Sequence, residues 1–158
     1  MHQPYYKNLL TRESPLPWVR LHGTKDYLDM VEMLDNFPAI HQTFNIVPSL
    51  IEQVEDYTNN KVKDTFLELS YKKAETLTED ERGFLLKNFF SINKDRVISL
   101  FPRYYELYFK RQKSLNFNTQ DYLDLQVLFN LAWIDPLFRQ KYEALNNIVR
   151  KGRFFSEE

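Results

Sequence analysis

The chain has 158 residues, with 21 Lys and Arg against 22 Asp and Glu, so its formal net charge is −1. This near-neutral balance argues against nucleic-acid or membrane-surface binding driven by bulk charge, because such binding needs several phosphates to be neutralised together. Cysteine is absent, which excludes disulfides, thiol nucleophiles and Cys-ligated metal sites. The length suits one soluble domain, and only 3 glycines argue against glycine-rich phosphate loops.

No targeting or membrane-spanning segment is visible in the sequence. The first ten residues lack the apolar core of a signal peptide. The longest apolar stretch, residues 127–134, is far shorter than the roughly 20 residues of a membrane helix. We therefore expect a cytoplasmic protein with no membrane partner.

The first third of the chain predicts a loop, a helix and one strand. Three prolines make residues 1–23 irregular. Thr24 is expected to cap an amphipathic helix that ends before Pro38. Residues 42–47 (QTFNIV) are rich in β-branched and aromatic side chains, a composition that predicts a strand.

From Pro48 almost to the end, the pattern is helical. Thr78 and Glu81 form a capping box, Asn118 or Thr119 caps the longest helix, and Gly152 ends the last one. The predicted helices cover residues 48–57, 62–71, 79–90, 95–101, 103–113, 122–134 and 136–150.

The lone strand is the most informative anomaly. A single strand cannot satisfy its own backbone, and each unpaired buried N–H or C=O group costs about 1–3 kcal/mol. An apolar strand followed directly by a helix is typical of a buried parallel sheet. Either the strand prediction is wrong, or the chain is a piece of a larger domain whose other strands lie outside it; we favour the second.

No catalytic or metal-binding pattern stands out. The three histidines, at positions 2, 22 and 41, lack the paired spacing of helical zinc sites. Carboxylates on the predicted helices are interpreted as caps and solvated charges, and the basic residues of 110–113 and 150–153 as partners of helix C-termini. We expect no metal and no cofactor.

The N-terminal segments carry the remaining chemistry. Residues 2–6 (HQPYY) and 16–22 (LPWVRLH) combine imidazoles, an indole, an amide, a guanidinium and phenols. Such side chains suit sugars, because aromatic rings stack on C–H faces while polar groups bind hydroxyls.

These segments closely resemble the opening of glycoside hydrolase family 57, which includes α-amylases, 4-α-glucanotransferases, branching enzymes and amylopullulanases. The matching stretches are residues 2–6, 16–22, 25–27, 43–50, 88–90, 101–107, 124–126 and 130–133. The resemblance implies an α/β fold: this chain would be the N-terminal fragment of an incomplete seven-stranded β/α barrel, mostly α-helical with one or two strands. Residues 1–60 would start the barrel, and residues 61–150 would form a helical insertion.

The resemblance also implies a sugar site. The family's His-Gln-Pro motif corresponds to residues 2–4, whose histidine and amide would contact the sugar. An indole could stack on a sugar ring, and an asparagine at the end of the second barrel strand would face the same site. The implied substrate-binding residues are His2, Gln3, Trp18, His22 and Asn45, with Arg20 interpreted as an ion-pair partner.

No catalytic residue is carried over from the family. Its nucleophile, a Glu, and its acid/base, an Asp, lie in regions downstream of residue 158, and no position here matches them. A retaining mechanism needs two carboxyl groups about 5–5.5 Å apart. We therefore expect the N-terminal portion of a retaining enzyme acting on starch, glycogen or maltooligosaccharides, inactive when isolated.

Two other functions stay open at this stage. A non-catalytic helical module that binds carbohydrate or protein would explain the missing carboxylate pair and the high aromatic content. A metal-dependent deacetylase would need paired His ligands, which the spacing here does not offer.

Overall fold

The computed structural model describes Met1 and residues 3–156; His2, Glu157 and Glu158 lie outside the described residues. The chain divides into two compact units, Met1–Glu68 and Leu69–Glu158. We call them unit 1 and unit 2 and describe each by itself.

Unit 1 is built from short helices and one small parallel sheet. Strands β1 and β2 pair in parallel, with Ser14 opposite Asp64. Helix α1 packs on α3, and Val19, Leu21 and Leu50 are buried there. The elements are β1 (Glu13–Ser14), α1 (Trp18–His22), a π-helix (Gly23–Tyr27), α2 (Leu28–Leu34), α3 (Pro48–Thr58), β2 (Lys63–Asp64) and the start of α4 (Thr65–Tyr71).

Unit 2 is helical and packs around its longest helix, α7. Leu125, Leu128 and Phe129 of that helix are at most 1% exposed, and the Phe129 ring stacks on Phe89 with centroids 4.3 Å apart. After the end of α4 the elements are a 3-10 turn (Ala74–Thr76), α5 (Glu79–Asn88), a second 3-10 turn (Ile98–Leu100), α6 (Pro102–Gln112), α7 (Thr119–Ala132), α8 (Pro136–Lys141) and α9 (Glu143–Lys151).

A buried ionic network joins α6 to α7 inside unit 2. The Arg103 guanidinium donates to Asp124 Oδ2 at 2.7 Å and to Asp121 Oδ1 at 2.6 Å. Lys110 also donates to Asp121, at 2.7 Å, and the backbone N–H of Phe155 donates to Asp124 at 3.1 Å. Burial disfavours the charged form of Arg103, but the hydrogen bonds to the two aspartates outweigh it and raise the pKa of Arg103. This network holds the last described segment against the two helices.

Several predicted helix ends are confirmed. The Thr78 side chain accepts from the Glu81 N–H, and the Glu81 side chain accepts from the Thr78 N–H, as a capping box requires. Asn118 and Asp121 form a second box at the start of α7. Gly152 ends α9 with φ of 66°, a left-handed conformation that glycine adopts without steric penalty.

The predicted strand at residues 42–47 is wrong as a regular element, because the structure assigns no strand there. The segment is nevertheless bonded to the first residue of the chain. The Met1 ammonium donates to the carbonyl of Asn45, and the Val47 N–H donates to the Met1 carbonyl at 3.3 Å. Together these two bonds pair Met1 with Ile46, in the pattern of one step of a parallel ladder. One ladder step is too short to count as a strand, and the described sheet is β1–β2 instead.

Three helix predictions are also wrong. Helical structure starts at Trp18 rather than at Thr24, whose hydroxyl donates back to Leu21 O at 3.1 Å instead of capping. Residues 95–101 form turns and a 3-10 turn, since so short a stretch before a proline cannot repay helix nucleation. The last predicted helix is broken at Tyr142, which has extended dihedrals between α8 and α9.

Candidate functional site

Three rings, Trp18, His22 and Tyr27, lie along one helical stretch of unit 1. The His22 ring is close to both of the others: its centroid is 6.2 Å from that of Trp18 and 6.2 Å from that of Tyr27. In a regular α-helix, a residue five positions on is turned about 140° away. The π-helix Gly23–Tyr27 widens this turn and brings Tyr27 beside His22. Such π-turns are frequent at functional sites.

Asp26 holds the imidazole of His22 within this stretch. The Nδ1 atom of His22 contacts Asp26 Oδ2, and Lys25 Nζ lies 3.2 Å from Asp26 Oδ1. Partial burial opposes ionisation of Asp26, but the hydrogen bonds from His22 and Lys25 outweigh it and lower the pKa of Asp26. An ionised carboxylate can only accept, so Nδ1 of His22 is the donor in this contact.

Gln3 lies in the same neighbourhood. Its Oε1 atom accepts a hydrogen bond from the Tyr6 hydroxyl at 3.0 Å. Burial raises the pKa of Tyr27, and the nearby Gln3 side chain offsets part of that rise. The Tyr27 hydroxyl is itself buried and, among the described residues, has no hydrogen-bond partner. We call Gln3, Trp18, His22, Asp26 and Tyr27 the N-terminal cluster.

The other predicted site residues are placed differently. His2 lies outside the described residues. Asn45 has an exposed side chain, and its backbone carbonyl accepts from the Met1 ammonium. Asn45 therefore lies next to the start of the loop that carries Gln3, joined to it through Met1.

Arg20 forms an ion pair that organises the scaffold of unit 1. Its Nε atom donates to Asp64 Oδ2 at 3.1 Å, and the Tyr57 hydroxyl donates to the same oxygen at 3.0 Å. The other oxygen of Asp64 accepts from the backbone N–H groups of Phe66 and Leu67, which caps the start of α4. Both oxygens of Asp64 thus accept hydrogen bonds that stabilise the scaffold of unit 1.

An apolar cavity of about 410 Å³ adjoins the cluster in unit 1 and shares Tyr27 with it. Its walls are mostly aliphatic, with Leu28, Val31, Ile46 and Ile51 among them. Sugar hydroxyls need polar partners, so this cavity does not suit a sugar. The side chains of the N-terminal cluster combine polar atoms with aromatic faces, a combination that is compatible with sugar binding.

The comparison with known protein families identifies the family of the chain. A family model, Glycosyl hydrolase family 57, matches residues 1–158, the whole chain. The chain belongs to glycoside hydrolase family 57. No curated protein and no solved structure gives a match. The resemblance stated from the sequence motifs is therefore confirmed at the level of the family.

Within this family 57 chain, sequence reasoning did not single out Asp26, Tyr27 or Tyr6 as site residues. One signal for Asp26 was available, since it stands four positions after His22, a spacing at which helical side chains meet. For Tyr27 no such signal existed, because its position depends on the π-helix.

Among Met1 and residues 3–156, no group of three His, Asp or Glu side chains converges as ligands for a metal ion. Over the same residues, no helix combines the length and the apolar character needed to cross a bilayer.

Proposed function

We propose that this chain supplies substrate-binding residues to a retaining, α-glucan-active enzyme of family 57, of the amylase, 4-α-glucanotransferase or amylopullulanase type. The N-terminal cluster would hold a glucosyl unit of starch, glycogen or a maltooligosaccharide. In this proposal His2 and Asn45 complete the site, and the catalytic Glu and Asp are not among these 158 residues.

The observation that carries the proposal is the group of three neighbouring rings, Trp18, His22 and Tyr27, with the Gln3 side chain close enough to Tyr27 to influence its pKa. An indole offers a flat apolar face to the C–H groups of a pyranose ring. An amide and an imidazole offer polar atoms that can bind its hydroxyls. Side chains locked by neighbours bind with little loss of rotamer entropy, and both His22 and Gln3 have such neighbours.

The two carboxylates that contact His22 and Arg20, Asp26 and Asp64, favour binding over catalysis. A general acid needs a raised pKa and a nucleophile needs an accessible oxygen. The pKa of Asp26 is lowered, and its two oxygens contact His22 and Lys25. Asp64 is 1% exposed with four hydrogen bonds. Neither group suits acid or nucleophilic work, so we expect bond cleavage to require carboxylates from elsewhere.

Calorimetric titration of the purified chain with maltohexaose, paired with a reducing-sugar assay on soluble starch, tests this proposal. We expect saturable binding in the micromolar to millimolar range, typical of a site that buries one or two sugar rings, and no release of reducing sugar. Starch hydrolysis that disappears when one carboxylate of this chain is replaced would contradict the non-catalytic assignment. Absence of binding would instead favour a helical protein-binding module.

A further inference from the structure

The side chain of Gln53, on α3, is almost completely buried, with 3% of its surface exposed. Its Oε1 atom accepts from the backbone N–H of Tyr6 at 2.8 Å. Its Nε2 atom donates to the carbonyls of Pro4 at 3.2 Å and Ser49 at 2.9 Å. One buried amide thus bonds the backbone of the N-terminal loop on both sides of Tyr5.

These three hydrogen bonds, which we call the Gln53 tether, are linked to the N-terminal cluster through Tyr6. The backbone of Tyr6 is held by Gln53, while its hydroxyl donates to Gln3 Oε1 at 3.0 Å. Because Gln3 Oε1 is occupied in this way, its NH₂ group is directed away from Tyr6. The Gln3 side chain also lies close enough to Tyr27 to offset part of the rise that burial causes in the pKa of Tyr27.

The neighbouring contacts between this loop and α3 are less suited to setting the position of Gln3. The Tyr5 hydroxyl donates to Glu52 at 2.6 Å, but that contact is exposed to water, which weakens it. Lys7 pairs with Asp56, but Lys7 follows Tyr6 and acts on the far end of the loop from Gln3. Gln53 alone among these three contacts bonds the backbone next to Gln3.

We propose that Gln53 is a positioning residue for the sugar site, setting the orientation of the Gln3 amide through Tyr6. This inference rests on the proposed function, since it assigns Gln53 a part in glucan binding. The physical reason is that a polar group aimed at a ligand contributes most when the protein holds it in place before binding.

Maltohexaose titration of four variants of the full chain tests the inference. Gln53→Leu removes every bond of the tether, and we expect it to weaken binding about tenfold or more, since two or three hydrogen bonds that orient the loop are lost. Tyr6→Phe removes only the hydroxyl that holds Gln3, and the loss of that single bond is expected to weaken binding about fivefold. The amide proton of Tyr6, followed by hydrogen exchange, is expected to lose its protection in Gln53→Leu alone.

The third variant, Gln53→Glu, has a pH signature that a packing role would lack. A carboxylate still accepts from the Tyr6 N–H but faces the Pro4 and Ser49 carbonyls with no proton to donate. A buried carboxyl in such surroundings has a raised pKa, so it gains a proton as the pH falls and recovers one donor. We expect the affinity ratio of this variant to wild type to recover between about pH 8 and about pH 5.

The matched control is Gln126→Leu. Gln126 is 2% exposed, and its Nε2 atom donates to the carbonyls of Leu69 and Lys72 in unit 2, at 2.5 and 2.8 Å. Its replacement removes a comparable buried tether, so it reports any general loss of stability, and the affinity for maltohexaose should stay within about twofold of wild type.

The possible results distinguish failure of this inference from failure of the proposed function. If wild type binds maltohexaose but Gln53→Leu and Tyr6→Phe bind equally well, the positioning role is overturned and the proposed function stands. If wild type does not bind, the proposed function fails. If the Gln53→Leu chain does not fold, Tyr6→Phe and the pH response of Gln53→Glu decide the question. A Gln53→Glu variant that binds maltohexaose with wild-type affinity at both pH values overturns the inference.

Discussion

The substitution Arg103→Met should lower the free energy of unfolding by about 3–5 kcal/mol, the usual cost of removing one partner of a buried ion pair. Arg103 is 6% exposed and donates to two aspartates that are themselves at most 2% exposed. Methionine preserves much of the side-chain volume, so the effect comes from the charges left in the interior rather than from a cavity. Urea denaturation followed by circular dichroism measures this difference.

The control for this prediction is Arg153→Met. Arg153 donates to Glu106 at 3.1 Å, and the side chains of both residues are about half exposed, at 47% and 49%. Exposed pairs of this kind contribute about 0–1 kcal/mol. A loss of less than 1 kcal/mol in both variants would contradict the view that the Arg103 network holds α6, α7 and the C-terminal segment together.

A second large effect is expected from Trp18→Ala, which should weaken maltohexaose binding more than tenfold. Truncating a central aromatic contact commonly costs more than about 1–2 kcal/mol, and a tenfold change in affinity corresponds to about 1.4 kcal/mol. The Trp18→Phe variant retains an aromatic face for the sugar and should stay within about threefold of wild type. Isothermal titration calorimetry measures all three affinities.

A second aromatic residue provides the matched control for Trp18. Tyr142 lies in unit 2 and is 49% exposed, so it also offers an accessible ring to a sugar. Tyr142→Ala should leave the affinity unchanged if binding is specific to the N-terminal cluster. Equal losses in Trp18→Ala and Tyr142→Ala would indicate nonspecific stacking, and an unchanged affinity in Trp18→Ala would remove the indole from the site.

The helix ends could be predicted from the sequence because their signals are local. A capping box at Thr78, a proline at the start of α3 and a left-handed glycine after α9 each depend on residues within one turn. Segments whose structure depends on distant partners were harder to predict. Residues 42–47 have the composition of a strand, but a strand also needs a neighbour to pair with along several residues, and Met1 provides one ladder step.

The site could be predicted in part, for a related reason. The sequence motifs pointed to Gln3, Trp18 and His22. The structure places the Trp18 and His22 rings side by side and bonds Gln3 to Tyr6 in unit 1. The contribution of Tyr27 depends on a π-helix, which leaves no simple periodic signal. The contribution of Gln53 depends on α3 meeting a loop 47 residues earlier in the chain, and contacts of such long range cannot be deduced from local spacing.

The small sheet of unit 1 could not be predicted from local sequence patterns either. Strands β1 and β2 have two residues each and are separated by almost fifty residues. Neither has the alternating pattern of a predictable strand. Their pairing is instead supported by Asp64, which caps α4 and binds Arg20 and Tyr57.

The most direct test of the central claim, that the N-terminal cluster binds α-glucan, uses the two tryptophans of the chain. Each indole N–H gives one resolved NMR signal, and Trp133→Phe assigns them. During titration with maltohexaose, we predict that the Trp18 signal shifts and saturates while the Trp133 signal, from α7's C-terminal end in unit 2, stays in place. A Trp18 signal that does not move at saturating sugar, or two signals that move alike, would contradict the account.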